Sequence, residues 1–295
     1  MNLFGNRGLI KIYNMNGITN LQILDDNAGR WGNQLFRIAT MIGYAKEHNL
    51  EYYVPAEWRY RAYLQNDYHY HNVNDISINI GQVYNEPGFH YNSIPLINNG
   101  IIEIRGYYQS NKYFIGAESD VRSFLTVNSD IINSVRKTHF CESKTRLCIH
   151  VRHGDFFDRA RNGGHKGNEH YHPVMSLQFY KNAIEHILSN VSIDEFVIFT
   201  DHPETKQFIE NQFNEYGIDT VYMDFNDEFI YDFVAQSLCD HAIIPNSTFS
   251  WWSAYLNNNS KKIICCPNPS DWFGPGYDHF IKSDLLPADW HKINQ

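Results

Sequence analysis

The chain reads as an α/β protein built from two Rossmann-like domains that face each other across a cleft. From residue 146 onward, short apolar runs alternate with amphipathic stretches of helical period, the grammar of a doubly wound parallel sheet. In the first half, a glycine-bearing turn near 27–32 leads into a helical pattern and then a strand-like run. The length, 295 residues, is enough for one large or two medium α/β domains.

In the stretch "NQLFRIATMIGYAKEHN", Leu35, Ile38, Ile42 and Ala45 fall at helical spacing, and "EYYVP" follows as a strand. Residues 55–95 are rich in Tyr, His and Asn with weak periodicity and are expected to be irregular surface structure. "GIIEIRGYY" (100–108) predicts a strand and 118–136 a helix. After 146 the predictions alternate: strand "LCIHV", helix "SLQFYKNAIEHILSN", strand "EFVIFT", helix "ETKQFIENQF", strand "DTVYM". They continue with helix "EFIYDFVAQSLC", strand "HAIIP", helix "TFSWWSAYLN" and strand "KKIICCP". The expected division is an N-terminal α/β domain over 1–143 and a C-terminal Rossmann-like domain over 144–295, divided within "KTHFCESKTR".

Composition excludes several classes. The net charge of −9 without any Lys/Arg block argues against nucleic acid as a partner. No run reaches the length of a transmembrane helix, and the first twenty residues lack the order of a signal peptide, so a cytoplasmic protein with at most peripheral membrane contact is expected. Five cysteines, an odd number with no CxxC pair, do not read as a disulfide framework. The absence of any Asp-x-Asp removes the usual carboxylate pair for a metal-bound diphosphate. His165, His170 and His172 offer no zinc spacing, so no metal and no cofactor is expected.

Three stretches place polar chemistry where strand ends would meet a cleft. In "GRWGNQLF" (29–36), Gly29 and Gly32 permit a tight turn and close ligand approach, and Asn33 brings a donor and an acceptor to a helix start. From these eight residues alone, an ordinary glycine turn with an Asn cap is the favoured reading. In "RLCIHVRHGDF" (146–156), His150 and Arg152 project to one side of an extending strand; Arg152 suits a phosphate, and Asp155 could take a proton or orient Arg152. An Arg–Asp ion pair at a strand end is the plain alternative. In "HAIIPNSTFSWWSAYL" (241–256), Asn246, Ser247, Thr248, Phe249 and Ser250 lie at a strand-to-helix junction whose free N–H groups could hold an anion. Taken singly, simple Ser/Thr capping is the favoured reading of this stretch, with Trp251 and Trp252 as core.

Taken together and in order, the three resemble the motifs of the α-1,2-fucosyltransferases, glycosyltransferase family eleven. "GRWGNQLF" is similar to that family's "GxxGNQ", "HVRHGDF" to its "HxRRGDY", and "SLCDHAIIPNSTFSWWSAYL" to its "CxHxIIANSSFSWWxAWL". The resemblance covers about residues 25–295 and is thinnest over 55–140. It implies a GT-B-like fold, GDP-β-L-fucose as donor, inversion at the anomeric carbon, no required metal, and a galactoside in a glycan or lipid-linked oligosaccharide as acceptor. Carried over by position, Arg152 holds the β-phosphate, His150 supports the nucleotide and Asn33 reaches toward phosphate and fucose. Ser247, Thr248 and Phe249 line the donor pocket, and Asp232 contacts guanine, whose N1–H and amino group a carboxylate can accept. Asp155 is the candidate base. One departure stands out: the family's second arginine is His153 here, which carries only partial charge at neutral pH, so donor affinity is expected to depend on pH more than in relatives. The rival readings are a binding protein without transferase activity, a transferase for another sugar, and a zinc hydrolase built on the histidines.

Overall fold

The computed structural model describes residues 15–65, 70–152, 168–200, 205, 212–223 and 228–295. Two parallel sheets organise the chain. The first holds β1 (Gly17–Thr19), β2 (Glu51–Pro55), β3 (Tyr70–His71), β4 (Ile80–Asn85) and β5 (Ile101–Arg105), in the order β3-β2-β1-β5-β4. The second holds β6 (Arg146–Val151), β7 (Glu195–Thr200), β8 (Asp219–Tyr222), β9 (His241–Ile243), β10 (Ile264–Pro267) and β11 (His291–Ile293), in the order β11-β10-β9-β6-β7-β8. Every neighbouring pair of strands in both sheets is parallel.

Strand β6 is the centre of the second sheet because its residues Arg146–Val151 are all buried, as a strand covered on both faces must be. Its register with β7 pairs Arg146 with Glu195, and the two side chains form a buried ion pair at 2.8 Å. Helix α1 (Trp31–His48) has fourteen buried residues on all its sides, beyond the single stripe of Leu35, Ile38, Ile42 and Ala45 that its periodicity shows. The reason is that α1 lies between the first sheet and a helix of the second half, and a helix buried all round needs no polar face.

The expected helix over 118–136 is two helices, α2 (Glu118–Phe124) and α3 (Ser129–His139). Between them Val127 makes an antiparallel bridge to Leu64, and Asn128 caps α3 by accepting from the Asp130 N–H at 2.9 Å. Helices α4 (Leu177–Leu188), α5 (Phe229–Leu238) and α6 (Thr248–Leu256) fall where their patterns predict. The helix expected over 204–213 lies largely outside the described residues. The region 55–95, expected to be irregular, contains β3 and β4. One continuous apolar core runs from Ile18 and Leu35 in the first half to Trp251 and Trp290 in the second, so the halves are packed together.

Candidate functional site

The first wall of the site is built by the turn before α1. Asp25 caps the turn Asp26–Ala28 by accepting from the Asn27 N–H at 2.9 Å, and Gly29 then adopts φ 116°, a region that disfavours side chains. Helix α1 begins at Trp31 with Arg30 at the N-cap position, and no side chain caps it. Asn33 therefore sits inside the first turn, which overturns the reading of Asn33 as a cap. Its Oδ1 accepts from Gln109 Nε2 at 2.9 Å, an arrangement that leaves the Asn33 amide nitrogen as the donor presented by this turn.

Two buried residues fix this wall. Gln34 donates through Nε2 to the Gly29 carbonyl at 2.7 Å and accepts from Trp58 Nε1 at 2.7 Å. Arg37, 1% exposed, donates to the carbonyls of Ala28 at 2.6 Å, Gly106 at 2.7 Å and Gln22 at 3.4 Å. It thus ties the turn before α1 to the turn after β5. In that second turn, Glu86 Oε2 accepts from the Tyr107 N–H at 2.6 Å and the Tyr108 N–H at 2.9 Å. Burial pushes the Glu86 carboxyl up to about 7, against the opposing pull of those two N–H groups and of Arg37.

The second wall comes from the C-terminal edge of the second sheet. His150, the penultimate residue of β6, is buried, and its ring lies 6.2 Å from that of Phe249. Arg152 follows directly after β6 and is half-buried. After β9, Asn246 is buried and donates through Nδ2 to the carbonyls of Pro173 at 2.9 Å and Trp272 at 3.1 Å. Its Oδ1 is buried and has no hydrogen-bond partner among the described residues. Ser247 holds the N-cap position of α6, yet its side chain makes no capping bond; Ser250 Oγ donates back to the Ser247 carbonyl at 3.3 Å. Simple capping is thereby overturned here as well.

The two walls touch at one point. A Cβ on Gly32 would lie 2.5 Å from the Thr248 carbonyl carbon and 2.7 Å from the Phe249 nitrogen, so α1 and α6 meet N-terminus to N-terminus on backbone. The close approach that Gly32 allows is thus, in the first place, to protein. A line of rings runs across the junction: Trp31 to Phe233 at 5.5 Å, Phe233 to Phe249 at 5.4 Å, and Phe249 to His150. Asp232, half-buried in the first turn of α5, neighbours Phe233. The structure therefore brings Gly32 against Thr248 and Phe249, Gly29 beside Asn33, and His150 beside Phe249 at a junction between the sheets; Arg152 follows β6 directly, and Asp232 precedes Phe233 in α5. His153 and Asp155 lie outside the described residues.

Sequence reasoning missed Arg37, Gln109 and Glu86. An arginine inside the apolar run "LFRIATMI" is a signal for the first, since a buried guanidinium must find acceptors. Gln109 and Glu86 carry no comparable mark. Among the described residues, no three of His, Cys, Asp and Glu converge as metal ligands, and His172 packs its ring 5.7 Å from Phe273.

Comparison with known proteins follows the same lines. The O-antigen biosynthesis glycosyltransferase WbnK of Escherichia coli is 26% identical over 209 residues, covering 67% of this chain and 64% of that protein. The alpha-1,2-colitosyltransferase of Escherichia coli is 22% identical over 196 residues, 66% of this chain and 64% of that protein. The chain thus spans just under two thirds of the length of these curated relatives. Among solved structures, POFUT1 in complex with GDP matches with a TM-score of 0.53 at 11% identity, over 84% of this chain and 98% of that one. NodZ alpha-1,6-fucosyltransferase soaked with GDP-fucose matches with a TM-score of 0.51 at 13% identity, over 87% of this chain and 96% of that one. Both likenesses bear out the α/β, GT-B-like reading of the fold. The family model described as glycosyl transferase family 11 matches residues 56–291, and the chain belongs to that family.

Proposed function

We propose that the chain transfers L-fucose from GDP-β-L-fucose to a hydroxyl of a glycan acceptor, O2 of a galactoside, with inversion and without a metal. The observation that carries this reading is the meeting of two uncapped helix N-termini, one from each sheet, at Gly32 and Thr248. Each terminus carries about half a positive charge in unsatisfied N–H groups, and two together favour an anion with more than one charge. A nucleoside diphosphate fits that demand, with Arg152 at the neighbouring strand end as its permanent cation.

The acceptor hydroxyl attacks the anomeric carbon from the face opposite GDP. A new C–O bond forms as the bond to the β-phosphate oxygen breaks, and the electron pair leaves with GDP. Arg152, the amide nitrogen of Asn33 and the α6 N-terminus stabilise the charge that grows on the departing diphosphate. Asp155 takes the proton of the attacking hydroxyl. His150 and Phe249 support the nucleotide, Asp232 accepts from guanine, and the buried Asn246 Oδ1 accepts from a ligand hydroxyl. The acceptor is a glycan or a lipid-linked oligosaccharide, met in the cytoplasm. No helix among the described residues is long and apolar enough to cross a membrane.

The relative named for colitose transfer supports a second donor, a colitosyl nucleotide, since none of the described contacts reads the sugar. The deciding experiment measures GDP release in EDTA from GDP-fucose, with GDP-mannose and UDP-galactose as controls, with and without lactose. Lactose-stimulated release from GDP-fucose alone is the expected result. GDP binding without release from any donor would leave a binding protein, and no GDP binding would overturn the reading.

A further inference from the structure

Among the described residues, the strands at the ends of the two sheets differ in how they meet solvent. β3 has two residues, β8 has four and begins with Asp219, and β11 has three and carries Lys292. Short length and charge are the usual means by which an edge strand avoids pairing with another chain. β4 has neither. It runs six residues, and no charged residue occurs from Ile76 through Asn85. Its residues are exposed or half-buried, and β5 is its one strand partner among the described residues. Apolar side chains border it. Val83 is 42% exposed, and Ile78, just ahead of the strand, is 66% exposed. Leu96, 55% exposed, adjoins Ile97, whose side chain reaches within 3.8 Å of where a Gly81 Cβ would stand. We infer that β4 is a pairing edge, at which two copies of the chain join antiparallel and make their five-stranded sheets one continuous sheet.

The backbone pairing of β4 sets the register. The Glu86 N–H donates to the Arg105 carbonyl at 2.7 Å, on the β5 side. Alternate residues of a strand turn their N–H and C=O to the same neighbour, so Gln82 and Tyr84 face β5 as Glu86 does. Val83 and Asn85 turn theirs to the outer edge. Two outward residues spaced in this way are what a two-fold antiparallel pair requires. Val83 of one copy exchanges both bonds with Asn85 of the other, and symmetry repeats the exchange in reverse. The two-fold axis then passes between the two copies of Tyr84, whose rings meet as a cross-strand aromatic pair. A second copy is the matching occupant because this edge complements itself. The stretch that must face its like is uncharged, although the chain as a whole carries −9. Such a pairing also closes, covering β4 in both copies, so association stops at two.

Light scattering after size exclusion tests the pairing. At roughly 0.1 mM, where an interface of micromolar Kd is filled, the wild-type protein is expected at twice the 34.6 kDa of one chain. Hydrogen exchange over residues 80–85 is expected to slow as protein concentration rises, because the Val83 and Asn85 N–H groups become paired. Val83→Pro removes an outward N–H that β5 does not use, and Val83→Lys introduces the charge that blunts natural edges. Each variant is expected at the mass of a single chain, with exchange over 80–85 no longer dependent on concentration. A circular dichroism spectrum near that of wild type shows that the fold is intact; should the proline variant not fold, the lysine variant decides alone. Three results would overturn the inference: a wild-type protein at the mass of one chain, a dimer that survives in a folded Val83 variant, or masses that climb beyond two chains.

Discussion

Gln109 donates a hydrogen bond from Nε2 to Asn33 Oδ1 at 2.9 Å, across 76 residues of sequence. Because an amide has one acceptor end and one donor end, this contact decides which end Asn33 presents. Gln109→Ala is expected to lower kcat about tenfold while GDP affinity stays close to wild type, the effect of a donor no longer held in one orientation. Gln109→Glu is expected to lower it further, because a carboxylate accepts and so turns the Asn33 nitrogen away from the junction. Steady-state kinetics that separate kcat from KM check both; an unchanged kcat in either variant would show that Asn33 needs no such support.

Arg152, a permanent cation, follows directly after β6, two residues past His150, and β6 neighbours β9, the strand that leads into α6. Arg152→Ala is expected to cut the rate about 10²–10³-fold, the usual effect of losing one donor to a developing oxyanion. Circular dichroism and the melting temperature are expected to stay near wild type, since the residue is only half-buried. A folded variant that turns over at wild-type speed would remove Arg152 from the mechanism.

How legible this was depends on how local each signal is. Strands β6 and β7 are apolar runs buried on both faces, and their limits in the structure fall within a residue of the sequence reading. Strand β1 was illegible: it has three residues, too few for any alternation, and its burial comes from β2 and β5 on either side. Strand β4 was missed because it is an edge strand with an exposed, polar pattern, which reads as loop. For the candidate site, Asn33, Arg152 and Asn246–Ser250 stood out in the sequence as polar chemistry at strand and helix ends. Gln109, Glu86 and Arg37 act through partners 76, 21 and 69 residues away, and no local pattern records such pairings.

Gly32 tests the junction itself. Any side chain here runs into the backbone of Thr248 and Phe249, and backbone cannot rotate away as a side chain can. Gly32→Ala is expected to destabilise the protein by about 1–3 kcal/mol, the cost of overpacking a tight contact. It is also expected to weaken GDP binding, because the two helix N-termini must move apart. Denaturant unfolding and GDP titration measure the two effects, and a variant with native stability would mean that the helices slide freely.

Glu86 makes stability depend on pH in a direction opposite to that of most carboxylates. Its folded pKa, near 7, lies above the ordinary value of 4.5, chiefly because burial penalises the charged form. Between those values the folded protein keeps a proton that the unfolded chain has released. The contribution is therefore fully present below about 4.5 and is lost as pH rises through 7. Glu86→Gln keeps an oxygen to accept the Tyr107 and Tyr108 N–H groups but cannot ionise. The melting temperature of wild type relative to Glu86→Gln is expected to fall steadily from pH 5 to pH 8, roughly the span over which the carboxyl loses its proton. A difference that stays constant across that range would show that the carboxylate is already charged in the folded protein, with its two N–H donors and Arg37 outweighing the burial.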